Sequence, residues 1–401
     1  MRRPAFLRFW SGSTLTFFGL SFAAVATDAL IINVLEASEP QVGLVRAAQF
    51  LPYLLVGLMA GALIDRWRKK PVLVWTTLGT SIALALIPAL WWAGHLSLTA
   101  VAVVLFTAGS FGVFTAAAQQ SLLPGLVERQ QLVPANARLG QSMTVAQTSG
   151  PVLGGAAVGL IGAALGVLAS SITHLITALL YARISVTEPK GEHTEKTSIW
   201  RDVRTGVRFT YQHRTMAPLA VSTHIWFVAN SAAVTVFALF ALRHLGLSPF
   251  LYGVTLALAG AAGLGGAFLA PWVGRRLGEG NAVILSRLLC APAWMLVVLA
   301  PEDQTWGFIL LGAAQTIHGF SMGLDDPNEM GYRQAVTPHH LLGRMNATMR
   351  SANRTMAVMG AALGGVLAGS LSYHWALGII VVVFLLAALV AAFSPLRGAH
   401  A

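Results

Sequence analysis

Only one cysteine, Cys290, occurs in the 401 residues, which excludes an intramolecular disulfide framework and any cysteine-cluster metal site. Charge is also scarce. Asp, Glu, Lys and Arg make up 10% of the chain, against about 25% in a soluble domain. Acidic residues are the rarer sign, 15 against 26 basic ones, for a formal net charge of +11. No phosphate-binding glycine loop followed by lysine is present, which argues against ATP as an energy source. No His-Glu-x-x-His or paired-cysteine site occurs either. No cofactor, metal or enzyme activity is therefore expected, and no catalytic residue is assigned.

What the chain does have is apolar length. It is 56% hydrophobic, with a mean hydropathy of +0.68. Spread over the sequence, this means many membrane spans and an all-α membrane protein. In a soluble protein the positive balance would suggest nucleic acid. Here it fits loops facing anionic membrane lipid, with no nucleic-acid partner. The Met-Arg-Arg start resembles a signal-peptide n-region, but the apolar run behind it is too long for an h-region and reads as an uncleaved first helix.

Hydropathy predicts about twelve spans. The first six cover roughly 9–34, 42–64, 71–93, 98–122, 136–159 and a sixth ending near 183. The second six cover roughly 216–242, 249–273, 281–299, 306–326, 345–370 and 375–393. The organisation is thus a six-helix bundle over 1–184, a cytoplasmic linker over 185–215, and a second six-helix bundle over 216–401. In the linker, Arg201, Arg204 and Arg208 form one helical stripe beside Trp200, Val203 and Val207. That spacing fits a helix lying on the membrane surface or a solvated linker helix. Arg2, Arg3, Arg8, Arg68, Lys69, Lys70, Arg275, Arg276, Arg344 and Arg397 fall on one side of the predicted spans. Glu36, Glu39, Glu302 and Asp303 fall on the other, with Arg243 the one cation there. By the positive-inside rule both termini are cytoplasmic.

The two halves repeat. Asn136-Ala137 matches Asn346-Ala347 at an offset of 210, and Gly150, Leu153, Gly154, Gly155 and Gly159 fall on Gly360, Leu363, Gly364, Gly365 and Gly369 at the same offset. Duplicated six-helix halves are the signature of transporters that rock around a midplane site. The glycine rows permit close helix packing, static or sliding. Between the second and third spans lies Gly61-Ala62-Leu63-Ile64-Asp65-Arg66-Trp67-Arg68-Lys69-Lys70. Its cations place it at an aqueous face, and Asp65 is the lone carboxylate among them, able to lock or release a neighbouring helix end. Gly266-Ala267 followed by Arg275 and Arg276 reads as a second copy, with Ala270 at the place of Asp65.

These stretches resemble the major facilitator superfamily over nearly the whole chain. Gly61 to Lys70 resembles the loop motif between helices 2 and 3, with Arg68 where a glycine is usual. Gly150-Pro151-Val152-Leu153-Gly154-Gly155 resembles the helix-5 motif of antiporters and exporters. Ser121 to Val127 with Asn136-Ala137, and Leu342 to Asn346, resemble the bacterial subgroup of macrolide-efflux proteins and the enterobactin exporter. The resemblance implies a monomeric exporter of the bacterial inner membrane, moving a small molecule in exchange for protons. It assigns gating to Gly61, Asp65, Arg66, Gly150, Pro151, Gly154 and Gly155, with Asp65 docking near Arg350 and Arg354. The family's buried helix-4 arginine is missing, since 106–120 holds no ionisable residue.

Ionisable groups inside spans are functional candidates. Asp28 and Arg46 sit at similar depth on the first two spans, as a proton site or a static ion pair. Asp325, Asp326 and Glu329, with Arg333 beyond them, read as a second proton-coupling candidate or as solvated turn residues. For substrate, Asn230, His318, Trp226, Phe22, Tyr53, His224 and Gln147 are the candidates; the aromatics Phe18, Phe22, Phe50, Tyr53, Trp226 and Phe227, as core packing, lipid contact or stacking surface, together suit a large apolar or amphipathic molecule better than a small sugar or an ion. A facilitator or importer without protons remains a rival, as does a receptor or lipid-handling protein on the same scaffold.

Overall fold

The computed structural model describes residues 4–186 and 199–399, with the backbone alone at 58, 59, 61, 62, 65, 66, 129, 133, 199–202 and 339. Among the described residues there is no strand. The first half contributes α1 (Pro4–Ala29), α2 (Glu39–Arg66), α3 (Lys69–Trp92), α4 (Leu98–Leu122), α5 (Leu132–Ile161) and α6 (Ala163–Ala182). A shorter helix, α7 (Ile199–Gln212), follows. The second half contributes α8 (Met216–Leu239), α9 (Pro249–Leu277), α10 (Glu279–Val298), α11 (Gln304–Val336), α12 (Leu342–Ser370) and α13 (Tyr373–Ala392). By length and composition, nine helical segments among the described residues are apolar enough to cross a membrane. α12, with Arg344, Arg350 and Arg354, is not one of them.

The helices start and stop for local reasons. Ser97, Ser372 and Asp303 cap α4, α13 and α11, each side chain accepting from a backbone N–H three residues on. Gly162, at φ 83°, is the single residue between α5 and α6; a side chain there would resist the left-handed turn.

The register of the repeat is visible in the elements themselves. α2 and α9, α3 and α10, α5 and α12, and α6 and α13 each begin 210 residues apart. So do the 3-10 turns Arg129–Gln131 and His339–Leu341, and the π-turns Leu30–Val34 and Phe240–His244 that end α1 and α8. The π-turn is a rare feature, and it recurs at matching positions. This register corrects the expected second copy of the Asp65 turn. The place of Asp65 falls to Arg275, not Ala270, so the two turns differ in charge sign.

Two compact units emerge from the packing. Unit 1 comprises Met1–Ala37, Ala48–Lys196 and Ser248–Gly253; unit 2 comprises Ser38–Ala47, Thr197–Leu247 and Val254–Ala401. The linker helix α7 therefore packs as part of unit 2. Its packed face is Gly206 and Thr210 rather than the Val203–Val207 stripe, and Val207 is exposed. A methyl at Gly206 would lie 2.6 Å from the Arg344 carbonyl oxygen and from Thr348 Oγ1, so α7 reaches α12 backbone to backbone.

Candidate functional site

A guanidinium lies at the centre of unit 2. Arg287 on α10 is 1% exposed, in an apolar helix with no other charged residue between Glu279 and Glu302. Its Nη1 donates to the Ser222 hydroxyl, and its Nη2 donates to Thr223 Oγ1 at 2.8 Å and to Glu329 Oε2 at 2.7 Å. The other Glu329 oxygen accepts from Arg333 Nη1 at 2.7 Å, and Arg333 Nη2 donates to Asn346 Oδ1 at 3.2 Å. Glu329 is thus clamped by two cations. Asp325 is not. Its Oδ1 stands 3.7 Å from Arg287 Nε, too far for a hydrogen bond, and both atoms are buried without a hydrogen-bond partner.

Solvated turn residues would not be arranged this way, so that alternative for Asp325 and Glu329 is corrected. α11 does not stop at Asp326 but runs on to Val336, carrying both carboxylates into the packed interior. Asp326, about 100° around the helix from Asp325, is exposed. Burying an ion costs several kcal/mol even after relaxation, and pairing repays it only with near-complete hydrogen bonding. Glu329 approaches that condition; Asp325 misses it and can take a proton on Oδ1 without breaking a hydrogen bond. Sequence reading overlooked Arg287, although the rule applied to Asp28 would have found it.

Further along the same unit is an aromatic cluster. Trp294 Nε1 donates to His318 Nδ1 at 3.3 Å, which leaves His318 Nε2 carrying the proton that it gives to Asn230 Oδ1 at 3.1 Å. Trp226 stacks on His318 with ring planes 8° apart, and Phe384 packs edge-on to both. Three substrate candidates, Asn230, His318 and Trp226, therefore meet. His224 does not join them. Its Nδ1 donates to Asn353 Oδ1 at 2.7 Å and its Nε2 accepts from Tyr211 Oη at 2.7 Å, tying α8 to α12 and α7. Burial raises the pKa of Tyr211, which keeps that donor protonated.

Unit 1 is polar inside but uncharged at the equivalent depth. Gln119 Nε2 donates to Tyr181 Oη at 2.8 Å and reaches Ser13 Oγ at 3.4 Å, and Ser13 and Tyr181 share a hydrogen bond of 3.0 Å. Ser81 and Ser171 each donate to the other's carbonyl, and His174 Nδ1 bonds the Ser170 carbonyl. Asp28, 6% exposed, accepts from Tyr252 Oη at 2.8 Å; Arg46 falls in unit 2. Phe22 and Tyr53 are half-buried in unit 1, whereas Gln147 is exposed.

The helix-5 glycines mark close approaches. A methyl on Gly150 would meet Ser21 Cβ at 2.6 Å, one on Gly154 the Phe22 carbonyl at 2.8 Å, and one on Gly155 the Pro249 carbonyl. Pro151, buried beside them, offers no N–H to the Gln147 carbonyl one turn back. Arg350 is exposed and Arg354 half-buried on α12. The side chains of Gly61, Asp65 and Arg66 lie outside the described residues.

Long apolar helices in two repeated sets of six, enclosing polar and ionised side chains, define a multi-pass membrane transporter. The profile of the transmembrane secretion effector family matches residues 1–401, and the chain belongs to that family of the major facilitator superfamily. It is similar to the uncharacterized MFS-type transporter y4rN of Sinorhizobium fredii, with 26% identity over 328 residues, 80% of this chain and 78% of the relative. Among solved structures, a variant of the nucleoside transporter NupG superposes with a TM-score of 0.79 at 12% identity, covering 96% of this chain and 98% of that one. A bacterial homologue of the iron transporter ferroportin, solved in an inward-facing state, gives 0.77 at 17% identity over 96% and 97%. At such identities the likeness is one of fold.

Proposed function

We propose that the protein is a proton-coupled exporter of amphipathic small molecules, working by alternating access in a bacterial inner membrane with both termini in the cytoplasm. The observation that carries this reading is Arg287, fully buried between one saturated and one under-bonded carboxylate. A proton on Asp325 leaves Arg287 wholly to Glu329; its loss pulls the guanidinium back toward Asp325. Two arrangements of one buried cation make a two-state element that a proton can bias. The family's description as secretion effectors favours outward movement, and macrolide- or siderophore-like cargo fits the aromatic cluster around His318. Asp28 is retained as the alternative proton site.

Proteoliposome transport under an imposed pH gradient tests this. Asp325→Asn is expected to abolish gradient-driven accumulation while sparing flux down a substrate gradient, and Asp28→Asn to leave most of the driven component. Driven transport that survives Asp325→Asn and fails in Asp28→Asn moves the proton site to α1. Flux insensitive to pH in the unmodified chain favours a facilitator, the reading that the fold likeness to a nucleoside transporter keeps in play.

A further inference from the structure

Unit 1 contains a cleft of about 340 Å³ between α1 and α5. Two helical stripes form it: Trp10, Thr14 and Phe18, one turn apart on α1, and Arg138, Ser142 and Val145 at matching spacing on α5. Its volume falls in the range of small-molecule sites, about 300–1,000 Å³.

The hydrogen-bond inventory of the cleft leans toward donors, with Gln141 adding an amide that offers both a donor and an acceptor. Trp10 Nε1 donates to Ser142 Oγ at 3.0 Å, so the hydroxyl of Ser142, 8% exposed, is used as an acceptor. Its own proton has no acceptor among the described residues. The Thr14 proton is already given to the Trp10 carbonyl at 2.8 Å. Arg138 forms no ion pair among the described residues, and no carboxylate lines the cleft. The walls thus offer unspent donors and one unneutralised cation, set against an indole and a phenyl ring. That is recognition chemistry for an anion attached to a flat apolar body.

The repeat shows how the same groove is used in the other half. At the offset of 210, Thr348 stands at the place of Arg138 and His224 at the place of Thr14. There the groove between α8 and α12 is filled by α7: Gly206 lies on Thr348, and the Tyr211 hydroxyl bonds His224 Nε2 at 2.7 Å. An aromatic ring with a polar edge occupies the site in unit 2. In unit 1 no described residue fills the groove, which carries a cation.

We infer that the cleft between α1 and α5 binds a small amphipathic anion, its apolar body against Trp10 and Phe18 and its carboxylate, sulfonate or phosphate on Arg138 and the Ser142 hydroxyl. The inference deepens the transport reading by naming a class of cargo, and rests on that reading only for calling the ligand cargo.

The test is calorimetric titration of the purified full chain with naphthalene-1-sulfonate, neutral naphthalene-1-methanol and cationic 1-naphthylmethylammonium. The sulfonate is expected to bind at least about tenfold more tightly than the methanol, and the ammonium most weakly, as a charge-assisted contact with Arg138 requires. Arg138→Gln should bring the sulfonate down to the methanol's level without changing the methanol, and Arg138→Lys should restore part of the preference. Arg138 is exposed, so both variants should melt like the unmodified chain. No preference for the sulfonate in the unmodified chain, or a preference that survives Arg138→Gln, overturns the inference. Displacement of the sulfonate by phosphatidylglycerol in mixed micelles also overturns it, in favour of a lipid headgroup. Because binding is read without a gradient, a chain that binds the sulfonate but moves nothing sinks the transport reading alone. A driven transporter with no sulfonate preference sinks only this site.

Discussion

The interiors of the two units differ in charge at positions that the repeat makes equivalent. Arg287, Asp325, Glu329 and Thr223 of unit 2 stand 210 residues beyond Thr77, Thr115, Gln119 and Ser13 of unit 1. The hydrogen-bonded frame is shared: Thr223 donates to Glu329 at 3.3 Å where Gln119 reaches Ser13 at 3.4 Å. The content is not. Unit 1 replaces the glutamate with its neutral amide and the arginine with a threonine whose proton goes to the Leu73 carbonyl at 2.7 Å. The vacated volume is filled from α6 by Tyr181, whose counterpart in unit 2 is Ala391; Tyr181 and Arg287 are both among the largest fully buried side chains. One scaffold thus holds a neutral hydrogen-bonded network in unit 1 and a network of paired charges at the same positions in unit 2. The difference is the ground on which the proposed proton site is set in unit 2 rather than at the equivalent positions of unit 1.

The largest effect should come from breaking the ionised network on one side. Arg287→Met takes the nearby cation from Asp325 and leaves Glu329 with Arg333 alone, and is expected to destabilise the protein by about 3–5 kcal/mol, read as a loss of melting temperature. Converting unit 2 to the unit 1 pattern, with Arg287→Thr, Asp325→Thr, Glu329→Gln and Ala391→Tyr together, should recover most of that stability. Proton-driven transport should not return. Recovery of both would show that the charges serve folding alone.

The reverse exchange sharpens the comparison from the other side. Gln119→Glu places a carboxylate beside Tyr181 and Ser13 with no cation, at a cost of about 2–4 kcal/mol near neutral pH. The cost should shrink as acid protonates the new carboxyl, so the melting deficit measured at pH 8 should narrow at pH 5. An equal deficit at both values would mean that unit 1 tolerates charge as unit 2 does.

A smaller effect is expected outside the spans. Glu39, ahead of the apolar run that starts at Val42, accepts from Tyr373 Oη at 2.8 Å and from Arg243 Nη1 at 3.1 Å. Burial acts most strongly and would raise its pKa, but its own backbone hydrogen bond, Tyr373 and Arg243 together hold it below the ordinary 4.5. The stabilisation is therefore complete above that ordinary value and fades as pH falls through the lower folded value. Glu39→Gln should lower the melting temperature slightly at pH 7, with the gap closing in the acid window below 4.5. A gap independent of pH would mean that the carboxylate charge is irrelevant there.

Much of this architecture was legible in the chain. Apolar runs of span length, separated by loops with a strong charge bias, read as about twelve helices because lipid permits little else for an unpaired backbone. The glycine matches at 210 gave the duplication, and later proved to be the register of whole elements. The candidate site was legible only in part. Asp325 and Glu329 were found as residues, yet hydropathy ended the span near 326 and left a solvated turn as one reading of them. Charges lower a local average whether they face water or each other, so Pro327 and its acidic neighbours resembled a helix end. The Asp65 turn was misaligned for a related reason, since cations recur near many helix ends.

What the sequence by itself determined is the number of helices, their order and the repeat, because these follow from transfer of apolar side chains out of water and from local capping. Only the tertiary structure decided which polar side chains meet: that Arg287 finds Glu329 and not quite Asp325, that Tyr181 fills in unit 1 the volume an arginine takes in unit 2, and that α7 fills one groove while no described residue fills its counterpart. Those outcomes depend on helix rotation and contact between residues far apart in the chain, which periodicity along one helix does not encode.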